Sequence, residues 1–257
     1  MVIPSKNSEK TIQASLESLF TSGIPVGTVY LIDKNSTDRT AKIALSFDKV
    51  KVVQEAHNYT EALITGTMLT KTEFIVIMDS DIILAKNFWE NLGPIYKKYF
   101  ITKGTYRNQL HPWFKMIEQK DVDFFKDTIG GFCAIIANRK TLLQVFYWIR
   151  EQEKLRDLDS GPDTITYSYA RKNKLPCHQD LNVVNLHQVF SLKRIWKNTI
   201  WYGRSARRAP IYEESSQIFI FRNVWKPIKR LWKYKDIPLL VDDIVRNICW
   251  VYGWLTG

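Results

Sequence analysis

Two carboxylates, Asp79 and Asp81, stand two residues apart where an apolar run, Phe74-Ile75-Val76-Ile77-Met78, comes to an end. The run reads as a strand buried on both faces of a parallel sheet. Open α/β sheets bind ligands outside the carboxyl ends of their strands, which is where this pair would fall. Hard oxygen ligands so close together suit Mg²⁺ or Mn²⁺, and such ions commonly also hold substrate phosphates. The chemistry implied is a metal–diphosphate site. D-x-D is a short pattern, and a loop that merely carries two acids would look the same.

The elements able to present such a pair precede it. Val2 and Ile3 open a strand that ends at Pro4-Ser5-Lys6-Asn7, and Glu9 to Leu19 has helical apolar spacing. Val29 to Ile32 is a second strand, followed by the polar turn Asp33-Lys34-Asn35 and a new helix start that Ser36 or Thr37 is placed to cap. Val50 to Gln54 is a third strand. Strands alternating with helices, with acids at strand ends, predict an α/β doubly wound sheet.

Three of these segments, VIPSKN, LIDKNSTDRT and FIVIMDSDIIL, resemble in kind and order the opening motifs of family 2 glycosyltransferases. The usual forms in that family are VIPTYN, a V-D-x-x-S-x-D turn and the D-x-D strand end. Further matches reach roughly to Arg208. The resemblance implies a GT-A fold: a mostly parallel sheet with helices on both faces, here followed by a C-terminal helical appendage. It also implies transfer of a sugar from a UDP- or GDP-sugar with a divalent metal, Mg²⁺ or Mn²⁺, on the diphosphate.

Carried over residue by residue, the resemblance gives Pro4 and Ser5 to the nucleotide and Asp33 to its base. A carboxylate accepts hydrogen bonds from a ring N–H, so that assignment is chemically sound. Lys34 stands where the family commonly has a second Asp, which leaves the base open between uracil and guanine. Asp79 is implied at the ribose or at the metal through water, Asp81 as the direct ligand, and His187, after the last strand, as a further reach to the metal or diphosphate. Asn58 falls in a region where relatives touch the nucleotide. Gly130 and Gly131 match a small-residue strand at the floor of the acceptor site, or else mark a bulge. Asp163 occupies the place of the general base, with Pro162 replacing the usual Glu and suiting a first helical turn; Asp159 is the alternative base. Taken without the resemblance, the residues favour reading Asp163 as an acid that merely suits a helix N-terminus.

A chain of 257 residues accommodates one α/β domain with an appendage. We read 1–208 as the catalytic domain, with a nucleotide-sugar half (1–100) and an acceptor half (101–208), and 209–257 as a basic, Trp-rich tail. Cys133, Cys177 and Cys249 form no disulfide framework, which fits a reducing compartment. Met1 runs directly into a strand, so no signal peptide is expected. The formal charge is +11, and from Gln188 onward thirteen Lys or Arg face five acids. Six of the nine Trp lie in that same stretch. Tryptophan with Lys and Arg is the composition of an interfacial helix on an anionic membrane. Ile218 to Tyr234 and Ile237 to Leu255 both look amphipathic, and Asp242, Asp243 and Arg246 keep the second from spanning a bilayer. This predicts peripheral membrane contact at the cytoplasmic face and a glycan or lipid-linked acceptor; packing of these helices on the domain or a second subunit is the alternative. No nucleic-acid motif is present. A sugar nucleotidyltransferase would show a Gly-rich loop after the first strand, and SKNSEK is not one. A non-catalytic scaffold on the same fold is the remaining class.

Overall fold

The computed structural model describes residues 1–55, 57–108, 131–152, 155, 161–188, 192–208, 228, 231–232, 235 and 237–256. Short apolar runs rich in Val and Ile give strands β1 (Val2–Ser5), β2 (Val29–Asp33), β3 (Val50–Gln54) and β4 (Phe74–Met78), since branched side chains pack well on a pleated surface. Helices α1 (Ile12–Thr21), α2 (Thr40–Ala44) and α3 (Tyr59–Leu69) connect them. The four strands pair in parallel in the order β3-β2-β1-β4. Their carboxyl ends therefore lie along one edge.

Beyond β4 the sheet becomes mixed. The two-residue strand β5 (Ile82–Ile83) and helix α4 (Phe88–Leu92) follow the acids, and then β6 (Ile101–Asn108) and β7 (Ala134–Asn138). β7 runs antiparallel to β4 and to β6, and β8 (Cys177–His187) runs parallel to β6. β5 closes the eight-stranded sheet antiparallel to β8. The expected α/β fold is present, with its parallel character concentrated in the N-terminal half. In the β6–β8 ladder Gly104 pairs with Asp180 but Thr105 pairs with Val184, so Leu181 to Val183 fall outside the ladder. A Cβ at Gly104 would stand 2.4 Å from the Val183 carbonyl oxygen, which is why glycine sits at this close approach.

Alternating side chains feed two cores, one per face. Val2, Ile32, Ile77 and Ile135 pack with Leu63 of α3 and with Leu142 and Phe146 of α5 (Arg139–Glu151). Ile3, Leu31, Met78 and Ile136 pack with Ile12 and Leu16 of α1 and Phe88 of α4. Helix α6 (Pro162–Lys172) adds Ile165 and Tyr167 to the first core. Two further helices, α7 (Leu192–Arg208) and α8 (Ile237–Thr256), cross each other closely: a Cβ at Gly203 would stand 2.2 Å from the Trp250 carbonyl oxygen, and one at Gly253 would stand 2.0 Å from that of Ile200.

Helix α1 begins at Ile12 rather than Glu9, and α2 begins at Thr40 without a Ser36 or Thr37 cap. The Ser36 hydroxyl turns back to the Asp33 carboxylate at 2.5 Å, a stronger acceptor than any neutral group nearby. Asp38 instead accepts from the Thr40 N–H at 3.0 Å. The stretch expected as an amphipathic helix from Ile218 to Tyr234 lies, but for three residues, outside the described residues, as do Gly130 and Asp159.

Candidate active site

The D-x-D turn is fixed from three sides. The Asp79 N–H donates to the Cys133 carbonyl at 2.8 Å, which ties the end of β4 to the start of β7. The Ser15 hydroxyl donates to the Ser80 carbonyl at 3.0 Å, and the Ser8 and Ser80 hydroxyls lie 2.8 Å apart. The Gln188 N–H donates to the Asp81 carbonyl at 2.7 Å. Register then completes the cluster. Ile82 pairs with His187, which sets the imidazole Nε2 3.2 Å from Asp81 Oδ2. Arg194, near the start of α7, reaches the same oxygen at 3.0 Å. Asp79 faces the other way and accepts from the Tyr59 hydroxyl at 2.9 Å.

These surroundings split the two acids. Burial, then the Asp81 charge, pushes Asp79 up to about 7; the Tyr59 bond and His187 oppose this and lose. Burial works against Asp81 too, but the His187 hydrogen bond and the His187 and Arg194 charges hold it below the usual carboxylate range. Burial likewise opposes the His187 cation, yet Asp81 and Asp79 raise its pKa above the ordinary value. Near neutral pH the cluster therefore holds one firmly ionised carboxylate beside a carboxyl poised to titrate. Among the described residues no three His, Cys, Asp or Glu side chains form a ready cage for an ion.

Pro4, Ser5 and Asp33 lie together, because Ser5 pairs with Asp33 and Pro4 with Ile32 across β1 and β2. Asp33 is buried, and its carboxylate accepts from the Ser36 N–H at 3.0 Å and from Gln54 Nε2 at 3.2 Å as well as from the Ser36 hydroxyl. The Ser5 hydroxyl is buried with no hydrogen-bond partner among the described residues. Asn58 caps α3, its Oδ1 accepting from the Glu61 N–H at 3.0 Å.

Asp163 sits at the first turn of α6, directly after Pro162 and the left-handed Gly161 (φ +92°). Its Oδ1 accepts from the Thr164 N–H at 2.7 Å. Its Oδ2 lies 3.8 Å from where a Cβ at Gly131 would stand, and Gly131 itself has φ +71°, so this wall of the site has no side chain. Burial raises Asp163 above the usual carboxylate pKa, partly offset by the Thr164 N–H and by the Lys103 charge. Lys103, on β6 and almost fully buried, donates to the Gly131 carbonyl at 2.6 Å and stands 5.8 Å from the centre of the Tyr167 ring. Burial pulls the Lys103 pKa down, while Cys133, Asp163 and Asp79 push it back up.

The arrangement gathers Asp79, Asp81, His187 and Asp163 at the carboxyl edge of the sheet. A family model described as Glycosyl transferase family 2 matches residues 1–144, more than half of the chain. The chain belongs to glycosyl transferase family 2. A search of curated proteins finds no match for it. Among solved structures it is similar to S. aureus TarS, at 16% identity and TM-score 0.54, over 80% of this chain and 39% of that one. It is also similar to glucosyl-3-phosphoglycerate synthase from Mycobacterium tuberculosis in complex with Mn²⁺, UDP and glucosyl-3-phosphoglycerate, at 16% identity and TM-score 0.53, over 80% of this chain and 76% of that one. The same synthase with Mn²⁺ and UDP-glucose matches at 18% identity and TM-score 0.51, over 76% and 72%. At these identities the likeness is one of fold. The chain spans about two fifths of the full TarS chain and under two thirds of its 1–349 fragment.

Sequence reasoning in this family 2 chain missed Tyr59, Lys103 and Arg194. Arg194 was counted only among the cations from Gln188 onward. Lys103 carried one usable signal: a lone cation inside the strand Ile101-Thr102-Lys103-Gly104-Thr105, between residues that read as buried. Tyr59 carried none beyond following a good helix cap.

Proposed function

We propose that the chain is an inverting glycosyltransferase that moves a sugar from a UDP- or GDP-sugar to an acceptor hydroxyl. The observation that carries this reading is the convergence of Asp79, Asp81, His187 and Asp163 at one sheet edge, on a chain of this family. Asp33 holds the nucleotide base beside Pro4 and Ser5, and the unpartnered Ser5 hydroxyl supplies a further contact. Asn58 is a peripheral contributor, since its carbonyl oxygen is already used in capping. Asp163 takes the proton of the acceptor hydroxyl as that oxygen attacks the anomeric carbon, and the nucleoside diphosphate leaves from the opposite side. A carboxylate whose pKa is raised by burial is a better base than a free one.

The donor set fits Mg²⁺ or Mn²⁺: two carboxylates with an imidazole, where such ions take only one or two carboxylates and leave the other positions to phosphate and water. Asp81 and His187 would hold it directly and Asp79 at its edge. Bound there, the ion would neutralise charge on the leaving diphosphate. The basic, Trp-rich segment 209–257 supports peripheral contact with the cytoplasmic face of a membrane, and with it a glycan acceptor that is lipid-linked. Among the described residues no helix is long and apolar enough to cross a membrane.

Calorimetric titration with UDP-, GDP- and dTDP-sugars, each with and without Mn²⁺, tests the donor site. Metal-dependent binding of one of them, lost in Asp81→Asn, is expected; binding of none refutes the reading. Asp163→Asn should retain donor binding and lose turnover, and full retained turnover refutes the base.

A further inference from the structure

Helix α8 carries an apolar stripe at Ile237, Val241, Ile244, Ile248, Val251 and Leu255, spaced four and three residues apart along its whole length. Each of these side chains is between 44 and 68% exposed. The stripe is unusual in what flanks it. The only charged residues of α8 are Asp242, Asp243 and Arg246. Asp242 and Asp243 are buried, and Arg246 Nε donates to Asp242 Oδ2 at 2.7 Å. The charged side of the helix thus faces inward and its uncharged side faces out. A seam for a second helix in water ordinarily has charged residues along both margins; this one has none. Helix α7, packed against the inner side, has no acidic residue and exposes Lys193, Lys197 and Arg204 around Trp201. An uncharged apolar face beside a cationic, Trp-bearing one is complementary to a lipid surface with anionic headgroups.

We propose that the outer face of α8 is the membrane-docking surface, immersed at the boundary of headgroups and acyl chains of an anionic bilayer while the cations of α7 meet the headgroups. The inference deepens the membrane-surface reading given above, which rested on the composition of 209–257, by assigning it to one helix face. It also fixes where the active site stands. Helix α7 carries Arg194, whose guanidinium bonds Asp81 at 3.0 Å. The helix that docks is therefore packed on the helix that borders the active site, at an axis separation of about 10 Å or less. An acceptor headgroup held at the bilayer surface is presented at the level of the site, which is the geometry a lipid-linked acceptor needs.

The test is flotation of the full chain with vesicles of phosphatidylcholine alone or mixed with phosphatidylglycerol, comparing wild type with Ile244→Glu/Ile248→Glu. Both positions are exposed, so the fold should tolerate the change; identical melting curves check this, and Val241→Ser/Ile248→Ser is the milder second variant. Wild type should float with the phosphatidylglycerol vesicles, less so as salt rises, and the Glu variant should lose at least about tenfold in partitioning. Flotation unchanged by either variant overturns the proposal. So does a wild-type dimer that binds no vesicle and becomes monomeric in the Glu variant, since a second copy would then cover the stripe. Donor titration of the same variant separates the two readings: donor binding kept with flotation lost upholds this inference, and donor binding absent in wild type counts against the transferase reading alone.

Discussion

Asp79 gives the sharpest quantitative expectation. Burial and the Asp81 charge move its pKa from 3.8 to about 7. The folded state therefore keeps a proton that the unfolded chain releases, and stability must fall as pH rises through that interval. Below about pH 4 both states hold the proton and nothing is lost; above about pH 7 both have released it and the full cost is present. At about 1.4 kcal/mol per pH unit, the loss between about pH 4 and about pH 7 is about 4 kcal/mol. Asp79 retains partial exposure, so this is an upper figure. Asp79→Asn removes the titration while keeping the size and the acceptor for Tyr59. Denaturant unfolding of the chelator-treated protein at a series of pH values is the assay. The variant should match wild type near about pH 4 and become the more stable of the two by about 2–3 kcal/mol near neutrality. A stability difference that does not change with pH would show that the Asp79 charge is not desolvated and would refute the account of the split pair.

Lys103→Met should raise the pKa of Asp163 further, because a nearby cation favours the carboxylate and its removal favours the acid. Carbon NMR of Asp-labelled protein, with the Asp163 resonance assigned by its loss in Asp163→Asn, reads this directly, and an unmoved titration counts against the Lys103 role. Gly203→Ala should force α7 and α8 apart at Trp250 and cost about 1–3 kcal/mol locally. Faster amide exchange throughout α8 is the expected signature, and unchanged exchange would mean the helices do not depend on this close crossing.

The carboxyl edge of the sheet was legible because each strand ends where an apolar run meets acids: Val29 to Ile32 before Asp33, and Phe74 to Met78 before Asp79. Periodicity and polarity change together at those points, and both are local. The helix start that holds Asp163 was legible through Pro162, whose fixed φ suits a first turn, whereas the role of Asp163 came from the resemblance alone. What was not legible depends on contacts distant in sequence. The pairing of β7 between β4 and β6, which makes the sheet mixed, joins residues about sixty apart, and no local signal states its direction. Lys103 reaches its place only because Gly131 and Asp163 arrive there from other elements. The α2 cap was misread because the Ser36 hydroxyl could either accept from the helix N–H groups or donate to the Asp33 carboxylate, and composition does not rank the two.

The three residues of β8 that stand outside its ladder have a further meaning. Residues outside a ladder set the register of all that follow, so their number decides which partner each later side chain meets. His187 meets Asp81 because three residues, Leu181, Asn182 and Val183, are skipped here, the last of them also packing fully buried in the core. The site thus tolerates substitution at the exposed Leu181 and Asn182 better than at the buried Val183, and is vulnerable to a change of length. Loss of a single codon between Gly104's partner Asp180 and Val184 must either shrink the bulge or slide the ladder by one residue, and the slide would turn the imidazole to the opposite face. Divergence in this part of the molecule is therefore better measured in insertions and deletions than in replacements.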